Sequence, residues 1–328
     1  MINEKTLKEL LENPAIKEVA PYAIKRWDLS QEEFYNWTLQ EIGDKVGWRN
    51  VGHGLERLLE IAGRGEYCYK LYSEKECAEL PEKESTCVVR IPSDDPAADE
   101  KPFILLIPGG GFVNVWNLTE GWPLARDFND LGYHVFILTY RVGVEASAAK
   151  AMEDISRALN IIAEKSAEFH VNPQSYITCG FSAGGYVTCL WNTDKGYRAF
   201  NLSKPQASFP IYPVTSCKLL AEDRWDKSRD LEEFARACVG VSIEEACNSS
   251  FEVPEHVEGF PKTAIFLAAE DELVPPEHSK ILARALDAAG IPCRLEIGAT
   301  GGHGFADGRG MCMEGWPSRA IDWYEGEQ

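Results

Sequence analysis

A serine among small residues, Gly180-Phe181-Ser182-Ala183-Gly184-Gly185, follows the apolar run Ile177-Thr178-Cys179. This G-x-S-x-G spacing suits a nucleophile held on a sharp strand-to-helix turn. Neighbours without side chains let the backbone bend and a substrate approach, and Tyr186 to Trp191 supplies a helix to follow. A serine hydroxyl is a weak nucleophile near pH 7, so Ser182 needs a base, and the base needs an orienting group. Asp271, in Ala269-Glu270-Asp271-Glu272-Leu273-Val274-Pro275, comes directly after the apolar run Thr263 to Ala268. Among three adjacent acids it is the one that begins the D-x-x-V-P turn, which leaves Glu270 and Glu272 solvated. His303, in Gly301-Gly302-His303-Gly304-Phe305, follows the alternating run Cys293 to Ile297, and its small neighbours let a ring move between acid and serine. Of the other histidines, His278 is placed on a helix surface and His53, His134, His170 and His256 lack a strand-end setting.

Two further groups complete the candidate chemistry. Pro108-Gly109-Gly110-Gly111-Phe112 follows the apolar run Phe103 to Ile107, where backbone N–H groups free of side-chain obstruction can face a developing oxyanion. Gly110, Gly111 and Ala183 are the expected donors. A phosphate-binding reading of this loop lacks the Lys-Ser/Thr ending it would need. Phe112, Trp116, Trp122 and Tyr186 are candidate substrate-binding residues, an aromatic wall for a sugar ring or an aromatic acyl group, whereas Trp191 reads as core.

These residues must be positioned by a sheet. Phe103 to Ile107 and His134 to Leu138 are continuous apolar runs, as in parallel strands covered on both faces. Pro123 to Leu131 and Ala148 to Phe169 read as helices between strands, Ala207 to Tyr212 as a further strand, Glu277 to Ala289 as a helix stopped by Gly290, and a closing helix starts near Pro317. Tyr67 to Tyr72 and Thr86 to Ile91 read as early antiparallel strands at a sheet edge. The expected fold is α/β, a mostly parallel central sheet flanked by helices, with ligands at the carboxyl ends of the strands. Residues 1–62 read as an N-terminal helical extension, a lid or dimer contact, with Ser30 and Glu33 as a capping box. Residues 63–328 form the main domain, with an excursion at about 215–259.

Composition narrows the partners. A chain of 328 residues with 45% hydrophobic content suits one large domain with an appendage. The formal charge of -19 argues against nucleic acid or an anionic membrane, since both need clustered Lys and Arg. No stretch approaches the roughly 18 apolar residues that span a bilayer, and the first residues lack a secretory apolar region, so a cytoplasmic location is expected. Ten cysteines without a C-x-x-C pair read as reduced and structural. No histidine pair has ligand spacing, so no metal or cofactor is implied. The expected partner is a small-molecule substrate, with a homo-oligomer open.

Pro108-Gly109-Gly110-Gly111-Phe112, Glu120-Gly121-Trp122-Pro123-Leu124-Ala125, Gly132-Tyr133, Tyr140-Arg141-Val142, the Ser182 elbow, Asp271-Glu272-Leu273-Val274-Pro275 and Gly302-His303-Gly304-Phe305 together resemble the α/β-hydrolase superfamily. Within it, the chain looks like the acetyl esterase and acetylxylan-esterase-like branch, related to the hormone-sensitive-lipase-like esterases. The resemblance covers roughly residues 100 to 328, and Ser182, Asp271 and His303 stand in the superfamily's order of nucleophile, acid and base. It implies a serine carboxylic-ester hydrolase acting through an acyl-enzyme on short acyl groups, acetyl first, carried by a sugar or other small alcohol. A prolyl-peptidase-like amide hydrolase and a non-catalytic small-molecule receptor on the same fold are the rival expectations.

Overall fold

The structure is a computed structural model that describes residues 1–223 and 230–326. Positions 224–229 of the expected excursion and the last two residues of the main domain lie outside the described residues. Eight strands form one sheet in the order β1-β2-β4-β3-β5-β6-β7-β8. They are β1 (Cys68–Lys70), β2 (Cys87–Ile91), β3 (Phe103–Ile107), β4 (Val135–Thr139), β5 (Tyr176–Phe181), β6 (Ala207–Ile211), β7 (Lys262–Ala268) and β8 (Cys293–Gly298). β2 pairs antiparallel with both β1 and β4, and every pairing from β4 to β8 is parallel. The mostly parallel sheet flanked by helices is thus as expected.

The apolar runs behave as their composition requires. β3, β4, β5 and β6 are buried along their whole length, because helices cover the sheet on crossing between parallel strands. β8 is only half-buried, which matches its alternation of apolar residues with Arg294 and Glu296. The Trp122–Asp130 helix packs on the Trp316–Gly326 helix, and the Ser147–Glu164 helix on the Ala183–Trp191 helix. Pro210 sits inside β6 and has no N–H to give. The β6–β7 ladder accordingly joins Ser208 to Thr263 and then resumes at Ile211 and Phe266.

The N-terminal residues are docked against this body. Leu7, Leu10, Ile42, Leu55 and Leu58 are buried in the same apolar cluster as the sheet. The Val51–Ala62 helix packs on the Trp122–Asp130 helix, and a Cβ on Gly54 would stand 2.5 Å from Pro123 N. Residues 22–50 also hold the loop after β3. Lys25 N–H donates to Val115 O at 2.9 Å, Leu118 N–H to Ala23 O at 2.7 Å, Asn117 Nδ2 to Tyr22 O at 2.8 Å, and Asn50 Nδ2 to Thr119 O at 2.9 Å.

Two local expectations are corrected. Ser30 and Glu33 do not form a capping box. Ser30 N–H is taken by Asp28 Oδ1 at 3.1 Å, and capping boxes form instead at other helices, such as Thr6 with Glu9, Thr38 with Glu41 and Ser73 with Glu76. His278 is not on a helix surface. It is 2% exposed, and its Nδ1 accepts from the N–H groups of Thr215 and Ser216, each at 3.2 Å, where the chain leaves β6.

Candidate active site

β5 ends at Phe181, and the Ala183–Trp191 helix begins two residues later. Ser182 bridges them at φ 53° and ψ -116°, a conformation that costs a non-glycine residue about 1–3 kcal/mol and persists only where its surroundings enforce it. Those surroundings are identifiable. Ser182 N–H donates to Ile211 O at 2.9 Å, so the neighbouring strand fixes the turn. The helix must also crowd β3: a Cβ on Gly184 would stand 2.0 Å from Ile107 O and 2.5 Å from Pro108 O. Only glycine fits there.

The sheet then brings three separated residues into one line. Ser182 Oγ lies 2.8 Å from His303 Nε2, and His303 Nδ1 lies 2.7 Å from Asp271 Oδ2. Asp271, 5% exposed, is itself anchored, its Oδ1 accepting from the N–H groups of Leu273 at 3.0 Å and Val274 at 2.8 Å. One oxygen closes the D-x-x-V turn and leaves the other for the imidazole. Glu270 and Glu272 are exposed. His303 stands in a loop whose Gly301, Gly302 and Gly304 all have positive φ, and the Tyr212 ring packs on the imidazole at a centroid distance of 4.9 Å.

The glycine loop after β3 passes beside the serine. A Cβ on Gly109 would stand 2.6 Å from Phe181 O and 2.9 Å from Ser182 Cβ. Gly109 N–H donates to Glu120 Oε2 at 2.6 Å, whereas among the described residues nothing accepts from the amides of Gly110, Gly111 or Ala183. Glu120 is 6% exposed, and its other oxygen accepts from Tyr212 O–H at 2.9 Å. Burial pushes the Glu120 carboxyl above its ordinary range, against the opposing pull of these two donors and of His303. Burial, then Glu120 beside it, pushes the Tyr212 phenol far up. Glu120 was visible in the sequence only as part of a resemblance, and Tyr212 only as the end of a strand. Their pairing depends on β6 lying beside β5, which no local pattern encodes.

A cavity of about 440 Å³ opens over Ser182 and His303. Phe112, Trp116 and Tyr186 line it, as do Trp48 from the N-terminal residues and Leu220, Phe234 and Ile243 from the excursion. Trp122 does not. It opens the Trp122–Asp130 helix, is 2% exposed and is absent from the cavity wall, so its expected role at the substrate is withdrawn. Tyr186 reaches the cavity with its ring, while its hydroxyl is committed to Phe251 O at 2.9 Å. Trp191 is core, as expected, with Nε1 donating to Tyr176 Oη at 2.9 Å. Cys217 and Cys238 also border the cavity, and all ten cysteines are free thiols. No helix among the described residues is long and apolar enough to cross a membrane.

The parallel sheet, the serine turn and the acid and histidine at successive strand ends define an α/β-hydrolase fold. Within it the chain belongs to the BD-FAE family, whose model matches residues 91–286. That span contains Ser182 and Asp271 and stops short of His303. The chain is 26% identical over 206 residues to an acetylxylan esterase of Xylanibacter ruminicola, covering 62% of this chain and 41% of that protein. It is 25% identical over 226 residues to endo-1,4-beta-xylanase B of Butyrivibrio fibrisolvens, covering 65% and 34%. It thus spans less than half the length of either relative. Among solved structures, an acetyl ester-xyloside bifunctional hydrolase from Caldicellulosiruptor lactoaceticus superposes with a TM-score of 0.63 at 22% identity, over 79% of this chain and 95% of that one. The carboxylesterase Cest-2923 from Lactobacillus plantarum WCFS1 gives 0.57 at 19% identity, over 74% and 92%. Both likenesses show the fold.

Proposed function

We propose that this protein is a serine carboxylic-ester hydrolase that removes short acyl groups, acetyl first, from a sugar or other small alcohol. The observation that carries this reading is the hydrogen-bonded line Ser182–His303–Asp271, set beside unpaired backbone donors at the floor of one cavity. Ser182 Oγ attacks the ester carbonyl carbon as His303 Nε2 takes its proton, while Asp271 Oδ2 accepts from Nδ1–H and keeps the imidazole in the competent tautomer. Negative charge collects on the former carbonyl oxygen, and the amides of Gly110, Gly111 and Ala183 are assigned to it. The bond to the alcohol oxygen breaks, and the imidazolium donates its proton there. Water then attacks the acyl-enzyme, giving one proton to His303, which returns it to Ser182 Oγ as the carboxylic acid leaves.

The sugar-ester assignment is supported by the acetylxylan esterase and acetyl ester-xyloside hydrolase among the similar proteins. The test is hydrolysis of p-nitrophenyl acetate, acetylated xylo-oligosaccharides and an aminoacyl anilide by wild type, Ser182→Ala and His303→Ala. Wild type should cleave the esters and leave the anilide, and either substitution should lower kcat by on the order of a thousandfold or more. Ester cleavage that survives Ser182→Ala would sink the assignment.

A further inference from the structure

The wall of the cavity is chemically two-sided, and the division follows the elements that build it. From the excursion come Leu220, Phe234, Ala235, Val239, Ile243 and Ala246 with the thiols of Cys217 and Cys238, so this part of the wall carries no side-chain nitrogen or oxygen. The loop after β3 and the N-terminal residues supply Trp116, Trp48, Asn114 and Thr119, beside the apolar Phe112 and Val113. Trp48 and Trp116 are half-buried and meet edge to face, with centroids 5.5 Å apart and planes at 80°. Trp27 backs Trp116 at 6.0 Å, and Phe34 backs Trp48 at 5.2 Å, so the pair is braced by rings that do not line the cavity.

Asn114 gives this aromatic side its polarity. It is 8% exposed, it lies on the oxyanion turn with its N–H donating to Gly110 O at 3.1 Å, and its side-chain oxygen is buried without a hydrogen-bond partner among the described residues. An unpaired buried amide oxygen costs about 1–3 kcal/mol; this one is closed in against Gly110, where a Cβ would stand 2.4 Å from it, so a ligand in the cavity meets the carboxamide when the amide turns. Its terminal torsion is soft, so either the oxygen or the NH2 can turn to a ligand.

We propose that Trp48, Trp116, Asn114 and Thr119 form the subsite for the alcohol half of the substrate, and that this half is a pyranose ring. A sugar ring presents C–H faces that suit indole and hydroxyls that suit a carboxamide, whereas the acyl chain, with nothing to hydrogen-bond, suits the excursion side. The residues that recognise the sugar thereby include one, Trp48, from outside the span that defines the family.

The proposal rests on the esterase reading, and two measurements keep them apart. The first is the ratio of kcat/KM for a monoacetylated methyl xyloside to that for methyl acetate, which share an acyl group and differ in the ring. The ratio should fall about tenfold or more in Trp48→Leu and in Asn114→Ala. A general loss of folding lowers both rates and leaves the ratio, so an unchanged ratio in both Trp48→Leu and Asn114→Ala overturns the subsite. Should Trp48→Leu fail to fold, Asn114→Ala decides. The second is calorimetric binding of xylotriose to Ser182→Ala with and without Trp48→Leu. Binding that Trp48→Leu weakens supports the subsite even if wild type cleaves neither ester, a result that would overturn only the esterase reading. Equal binding, or none in either variant, overturns the subsite.

Discussion

Replacing Glu120 tests whether the glycine loop is held in place from behind. Its two oxygens accept from Gly109 N–H at 2.6 Å and Tyr212 O–H at 2.9 Å, so both contacts are donors facing an acceptor. In Glu120→Gln the carbonyl oxygen can keep Gly109, but the NH2 then meets Tyr212, whose oxygen must accept and whose hydrogen must turn away from its partner. One hydrogen bond to a charged group is lost, about 1.5–3 kcal/mol. In Glu120→Leu both donors are left buried and unpaired, about 1–3 kcal/mol each, and Gly109 is released one residue before the proposed oxyanion donors. Urea unfolding should order the three proteins wild type, Gln, Leu. The kcat on p-nitrophenyl acetate should fall modestly for Gln and by on the order of a hundredfold for Leu, the scale of losing one oxyanion donor. The pH dependence has a definite sign. Burial raises the Glu120 carboxyl above its unfolded value of 4.5, so the folded chain binds the extra proton. Wild-type stability should therefore fall as pH rises from 4.5 through the folded-state value and then level off, a slope absent from Glu120→Gln. Wild-type midpoints and kcat in Glu120→Leu would refute the argument.

Three further outcomes are expected. Gly184→Ala places a Cβ 2.0 Å from Ile107 O, and the protein should be recovered unfolded or with kcat largely abolished, as judged by circular dichroism and ester hydrolysis. Asp154 is fully buried and accepts from Arg141 N–H at 2.8 Å, Arg141 Nε at 3.0 Å and Tyr72 O–H at 2.6 Å. Asp154→Ala leaves the Arg141 guanidinium to Glu153 and Glu82 but takes the acceptor from the Arg141 N–H and Tyr72 O–H, and should lower unfolding free energy by about 1–3 kcal/mol in urea titrations. Lys25 is 3% exposed, and burial lowers its ammonium to about 8. The unfolded chain keeps that proton to higher pH, so wild type should gain stability relative to Lys25→Met between about pH 8 and pH 10, checked by urea midpoints at both.

What the sequence disclosed was what local pattern can carry. Continuous apolar runs marked β3, β4 and β5 because a doubly covered strand needs no polar face. Ser182, Asp271 and His303 were legible because each follows a strand pattern, apolar before Ser182 and Asp271 and alternating before His303, with glycine or turn residues attached. Glu120 and Tyr212 were not, since their partnership joins a loop after β3 to the end of β6. His278 was misplaced because helical periodicity shows which residues share a face, not that Thr215 and Ser216 wait opposite with unpaired amides. Trp122 misled for a related reason: an aromatic residue after a glycine loop reads as pocket wall, yet it opens a helix and is buried away from the cavity. Trp48 was legible only as part of an N-terminal extension that could be a lid or dimer contact, because an aromatic residue amid short helices does not show which surface it will cover.

The hold that residues 22–50 keep on the loop after β3 has a consequence for how the protein can be cut. A fragment limited to the family span would carry the proposed nucleophile Ser182 and its partner Asp271, but neither His303 nor the four hydrogen bonds that fasten residues 115–119 from outside. On the proposed mechanism, the shortest segment expected to turn over an ester reaches from before Tyr22 to beyond His303. Libraries made by swapping this segment between relatives should join there, and not at the borders of sequence similarity.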